Sequence, residues 1–218
     1  MTVDRETLET ARRSLHGVAE LVLAGPQYRQ NGTIRLRVTD GGFGTVQEPA
    51  LRVNGTELVA GDREIPMTGA TCRELAAAAG IEAGAAEGLY KDGSGVGLDD
   101  VLGVDAAAAQ YIEEVFGQGL EALTRFAPET TSVLWPEHFD LGVSLDEVNY
   151  GVSAGDAFLD EPYAYVGPWE PRQGSFWNTS FGAARPARLL TSATAMLDFF
   201  IEARDRAAHD RVRPLEHP

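Results

Sequence analysis

Apolar positions along this chain recur with two periods, one helical and one strand-like. Leu8, Ala11, Leu15, Val18 and Val22 fall three or four residues apart, which makes one apolar face of a helix expected to stop before Gly25-Pro26. A short second helix follows Gly69, where Thr71 and Glu74 form a capping-box pair and Gly80 supplies the stop. Asp105 caps a third helix that reaches about Phe126, with Ile112, Val115, Phe116, Leu120 and Leu123 on its inner side. A fourth carries Leu190, Met196, Leu197, Phe200 and Ile201 and frays near Ala208, so residues 209–218 read as a disordered tail.

The strand-like period fills the intervals. Ile34, Leu36 and Val38 alternate with Arg35 and Arg37, and Asp40-Gly41-Gly42 turns the chain back toward Phe43. Asn54-Gly55 between two short apolar runs is a strong hairpin signal. Further on, Phe139, Leu141, Val143 and Leu145 alternate with Asp140, Gly142, Ser144 and Asp146, and residues 148–152 and 163–166 read as further strands. Strands arranged in hairpins predict an α+β fold, with mainly antiparallel sheet packed against four helices. Helix, strands, helix occurs twice, so the single domain expected over residues 1–208 divides into similar halves, 1–80 and 104–208. The Gly/Ala-rich stretch 80–103 joins them.

Charge narrows the classes of partner. The chain of 218 residues carries a net charge of −15, with 33 acidic against 18 basic residues. A surface this acidic repels phosphate backbones and anionic lipid, which argues against nucleic acid and membrane as partners. No apolar run approaches a membrane span, and the charged residues from Asp4 onward do not resemble a signal peptide. The expected location is the cytoplasm. The single cysteine, Cys72, excludes an internal disulfide and reads as a small buried helix residue.

The chemistry-bearing residues concentrate in residues 133–181, which hold all three tryptophans. Residues 127–171 contain no Lys or Arg but nine Asp and Glu. Within Trp135-Pro136-Glu137-His138-Phe139-Asp140, strand alternation puts His138 and Asp140 on one face, where His138 can act as a general base oriented by Asp140. The same pair could contribute to a metal site, but no third ligand stands at a recognised spacing, and the cofactor is left unassigned. Asn149 and Asp156, in a glycine-containing polar loop, are candidate ligand anchors; Trp135, Tyr165, Trp169 and Trp177 are candidate aromatic walls. Gly151-Val152-Ser153-Ala154-Gly155 fits the bare pattern of a nucleophile elbow, yet no parallel strand precedes it and no helix follows. Gly93-Ser94-Gly95-Val96-Gly97 lacks the downstream Lys-Ser/Thr of a phosphate loop and reads as a surface loop.

The segments WPEHFD at 135–140, NYGVSAGD at 149–156 and PYAYVGPW at 162–169 resemble a family of uncharacterised actinobacterial proteins. That resemblance implies a folded domain and attaches no activity to it. From the residues themselves, the leading expectation is a small-molecule-binding protein with an aromatic-lined acidic pocket. The alternative is a noncatalytic interaction protein whose segment 133–181 forms a homo-oligomer or partner interface.

Overall fold

The computed structural model describes residues 3–91 and 93–210. The expected tail therefore falls mostly outside the described residues, at 211–218; His209 itself closes the last helix. The described residues form five α-helices, one π-helical segment, one 3-10 turn and ten strands, an α+β fold with a single antiparallel sheet.

The first helix does not stop at Gly25-Pro26. Helix α1 (Arg5–Val18) runs into a π-helical segment (Ala19–Ala24) and then into α2 (Gly25–Asn31). The π turn is what lets proline follow. The Gly25 amide bonds back to Glu20, so the Leu21 carbonyl would look to residue 26, where proline has no N–H to give. Gly84 donates to Leu21 instead, at 2.8 Å. A Cβ on Gly25 would run into the Gly84 carbonyl, so only glycine admits this approach.

After α2 come β1 (Leu36–Thr39), β2 (Gly42–Thr45), β3 (Leu51–Asn54), β4 (Glu57–Ala60), β5 (Arg63–Pro66) and α3 (Cys72–Ala79). The Thr71–Glu74 capping box is formed as the residues predict. Cys72 is fully buried and its thiol is pushed up to about 12 by burial, which keeps it protonated and inert. The second run is α4 (Ala106–Phe126), β6 (Val133–Trp135), β7 (Asp140–Leu145), β8 (Val148–Ser153), β9 (Tyr163–Pro168), β10 (Ala183–Pro186) and α5 (Ala193–His209). Each run is a five-stranded meander. They meet where β1 pairs with β6, giving the order β10-β9-β8-β7-β6-β1-β2-β3-β4-β5.

All the helices that touch the sheet pack on residues of one face. Helix α4 lies over β7, β8 and β1, α5 over β9, and α3 over β4 and β5. Leu141, Val143, Tyr150, Val152, Ala164 and Val166 alternate onto that face and are buried in the core. Phe126, Tyr150 and Phe200 pack there with ring centroids 4.6–6.1 Å apart. The opposite face carries Gly142, Ser144, Asn149, Gly151 and Tyr165, and among the described residues no helix packs closely against it, α1 facing it only across a cleft. The described residues of the segment 80–103 have little regular structure but are tied down, through Gly84 on Leu21 and Ser94 on Glu20.

Candidate functional site

The β6–β7 hairpin sets the site. Trp135 pairs with Asp140, so Pro136, Glu137, His138 and Phe139 form the turn. Phe139 is not a strand residue as its alternation suggested. It adopts φ 50°, a conformation that costs a bulky residue about 1–3 kcal/mol. The ring repays the strain by entering the core, stacked on His16 at 5.5 Å and edge-on to Phe43 and Phe116. Burial lowers the His16 imidazole pKa, and its Nε2 lies 2.7 Å from the Pro136 carbonyl oxygen. A carbonyl only accepts, so Nε2 carries the proton of the neutral ring. Helix α1 is thereby pinned to the hairpin.

Asp140 is the first residue beyond the strained turn. Its side chain belongs to a row across the uncovered face, Trp135, Asp140, Ser153 and Tyr163, fixed by the strand register. In the next row Gly142 and Gly151 stand beside Tyr165. The two glycines make a trough for the Tyr165 ring: a Cβ on Gly151 would lie 2.5 Å from its hydroxyl, and one on Gly142 would lie 3.0 Å away. Lying in the trough, the phenol donates a hydrogen bond to Asp140 Oδ2.

Asp140 is only 8% exposed, and its Oδ1 has no hydrogen-bond partner among the described residues. Burial pushes its carboxyl up to about 6, against the opposing effect of the Tyr165 hydroxyl. Burial and the adjoining carboxylate likewise raise the Tyr165 phenol well above its ordinary range. A buried carboxyl with an unused oxygen is costly to maintain and singles this position out from the ordinary surface acids.

These groups line a cleft of about 840 Å³ between α1 and the strands β8 and β9. Arg12, Arg13 and His16 come from the helix side, Glu137 and His138 from the hairpin, and Asp140, Ser153, Tyr163 and Tyr165 from the sheet. A second hollow of about 520 Å³ continues across the uncovered face and shares Glu137, His138, Asp140, Asn149 and Tyr165.

The candidate residues divide accordingly. His138 is exposed at the mouth of the cleft and makes no hydrogen bond among the described residues; Asp140 is held by Tyr165 and not by His138. Trp135 lines the second hollow, with the Arg35 guanidinium 5.8 Å from its ring. Asn149 Oδ1 accepts from Ser144 at 2.7 Å and from the Trp169 indole at 3.3 Å. Trp169 is 64% exposed and flanks the site without lining either hollow. Asp156 lines the cleft while satisfying the amides of Phe158 and Leu159 and the Tyr163 hydroxyl. Trp177 lies elsewhere: it packs on Phe176 and donates to Asp210 at 3.1 Å.

No sequence signal places Arg12, His16 or Ser94 in the cleft. Arg12 and His16 share a helix face by four-residue spacing, but nothing in the sequence says what that face meets. The glycine-rich loop is more than a surface turn, since Ser94 lines the cleft and donates through N and Oγ, at 2.9 and 2.6 Å, to the buried Glu20. Ser153 is at no elbow; its Oγ accepts from the Gly155 amide at 3.1 Å. Among the described residues no three His, Cys, Asp or Glu side chains converge as metal ligands, and no helix is long and apolar enough to cross a membrane. No family model, no curated protein and no solved structure matches the chain.

Proposed function

We propose that the protein binds a small molecule in the cleft between α1 and strands β8 and β9, with the Asp140–Tyr165 pair as its polar anchor. The observation that carries this reading is the unpartnered Oδ1 of a buried carboxyl lining a cleft. A hydrogen-bond donor delivered by a ligand satisfies that oxygen, and such charge-assisted bonds are worth about 1.5–3 kcal/mol. Tyr163, Tyr165 and Phe181 supply apolar wall, in keeping with sites that combine apolar lining and a few polar groups. A carboxyl whose pKa lies near 6 is also suited to exchanging a proton with what it binds, and the His138 side chain stands at the mouth of the same cleft.

A thermal-shift screen of a metabolite library tests the proposal. A ligand at a hundred times its Kd stabilises by about 2.7 kcal/mol, on the order of 5–10 °C for a chain of this size. The expected result is a compound that shifts the wild type by several degrees and loses most of that shift with Asp140→Asn and Tyr165→Phe. Equal shifts in all three proteins would remove the cleft from the account.

A second reading draws support from exposed aromatics of the same segment: Phe158 is 52% exposed, Phe181 38% and Trp169 64%. In that reading they form a contact between copies of the chain or with a partner protein. Light scattering across a hundredfold range of concentration distinguishes it. A dimer dispersed by Phe158→Ser and Trp169→Ser supports an interface, and a monomer throughout leaves no self-association through these rings.

A further inference from the structure

The charged residues of the cleft differ in whether the protein already answers them. Arg13 pairs with Asp100 at 3.1 Å and also donates to the Gly95 carbonyl at 2.8 Å. Asp156 takes three hydrogen bonds, two from backbone amides and one from Tyr163. Four charged groups are left without an ion pair among the described residues, the carboxylates Glu9, Glu137 and Asp140 and one arginine, Arg12. Asp140, more than nine-tenths buried, keeps Oδ1 unpaired among the described residues. Arg12, partly buried on the opposing wall, makes one hydrogen bond, to the Asp160 carbonyl at 3.0 Å, and has no carboxylate within ion-pair distance among the described residues. A guanidinium has five N–H donors, so most of its donors await an acceptor.

The fold places these two poles at different ends of the same strand exit. Asp140 stands beside Ser153, the last residue of β8. Two residues further on, Gly155 leaves room for the guanidinium, since a Cβ there would come 2.7 Å from Arg12 Nη1. Phe181, Phe158, Tyr163 and Tyr165 follow one another with centroids 5.1, 5.9 and 6.4 Å apart, and Phe181, Tyr163 and Tyr165 of these line the cleft. The cleft therefore offers an acidic pole, a basic pole and an aromatic stripe between sheet and solvent.

Resting on the small-molecule reading above, we infer that the ligand is dipolar: an amino acid or short peptide whose ammonium faces Asp140 and whose carboxylate faces Arg12. A simple anion would bring its charge to Glu137, Asp140 and Asp156, and a simple cation would meet Arg12 and Arg13. A zwitterion answers both poles at once. The planar guanidinium fork matches a carboxylate in two-point geometry, and a buried carboxylate matches an ammonium.

The test is calorimetric titration of the wild-type chain with L-α-amino acids, ω-amino acids from glycine to 6-aminohexanoate, and dipeptides. Each binder is then compared with its two singly charged analogues, the amine lacking the carboxylate and the acid lacking the ammonium. Each charge-assisted bond corresponds to roughly tenfold or more in affinity, so the zwitterion should bind at least about tenfold more tightly than either analogue. Arg12→Gln should erase its advantage over the amine, and Asp140→Asn its advantage over the acid. The ligand comparison is made on the wild type, so it stands even where a variant fails to fold. A singly charged or neutral compound that binds the cleft as tightly as any zwitterion overturns the inference while keeping the site. Failure of the metabolite screen and of every probe here removes both.

Discussion

At the scale of the residue, Asp140 decides the account, and its titration gives a sharp expectation. The folded-state value near 6 lies above the ordinary 3.8, so between these values the native protein holds a proton that the unfolded chain releases. The stability this proton provides is full below about pH 4 and lost as pH rises through 6, and the shift amounts to about 3 kcal/mol. Asp140→Asn is neutral at every pH and escapes that loss. Urea unfolding at pH 4, 5, 6 and 7 should therefore show the variant gaining on the wild type by up to about 3 kcal/mol, and parallel curves would contradict the buried carboxyl. Asp140 and Tyr165 are both legible as polar and aromatic candidates, but their pairing is not. It depends on strand register, which brings Gly142, Gly151 and Tyr165 into one row although they are far apart in sequence. The expected His138–Asp140 partnership fails to form a hydrogen bond for a local reason. Phe139 turns into the core at positive φ, and the simple alternation of neighbours is lost there.

At the scale of the element, helices and hairpins follow the sequence closely where caps and turns announce them. The Thr71 capping box, the Asp105 cap and the Asn54-Gly55 hairpin all form. Elements held mainly by their neighbours leave weaker traces. Strand β6 spans three residues, and β10 is Ala-Ala-Arg-Pro, a poor strand former kept in place by pairing with β9. The π segment has no pattern of its own, since its buried Glu20 sits inside an otherwise apolar run. Two glycines test these assignments. In an isolated helix Gly25→Ala would stabilise by up to about 1 kcal/mol; here the Gly84 carbonyl occupies the space, and the variant should lose stability by more than 2 kcal/mol. Gly151→Ala should cost about 1–3 kcal/mol by lifting Tyr165 from its trough. Denaturant midpoints equal to or above the wild type for either variant would contradict the packing described.

At the scale of the whole molecule, the two meanders share one continuous core. Leu36 faces Leu134 across the β1–β6 seam, α1 packs on α4, and buried residues of both runs form one cluster. The chain provides separate reporters for its two runs: the three tryptophans lie in the second, and the single cysteine, buried Cys72, lies in the first. A shared core predicts that tryptophan fluorescence and Cys72 thiol reactivity change at the same denaturant concentration. Thiol exposure well before the fluorescence change would mean that the runs unfold separately. The antiparallel α+β class is readable from hairpin order, whereas the uncovered face and its cleft are not, because they arise from the packing of α1 against a hairpin more than a hundred residues away. The most direct test of the cleft is to record amide nuclear magnetic resonance spectra of the wild type and of Asp140→Asn while adding the compound that gives the largest thermal shift. Changes centred on Gly142, Gly151, Gly155 and the Glu137–His138 turn are expected, saturating in the wild type and absent in the variant. Changes that map to another surface, or that persist unaltered in Asp140→Asn, would contradict the cleft as the binding site.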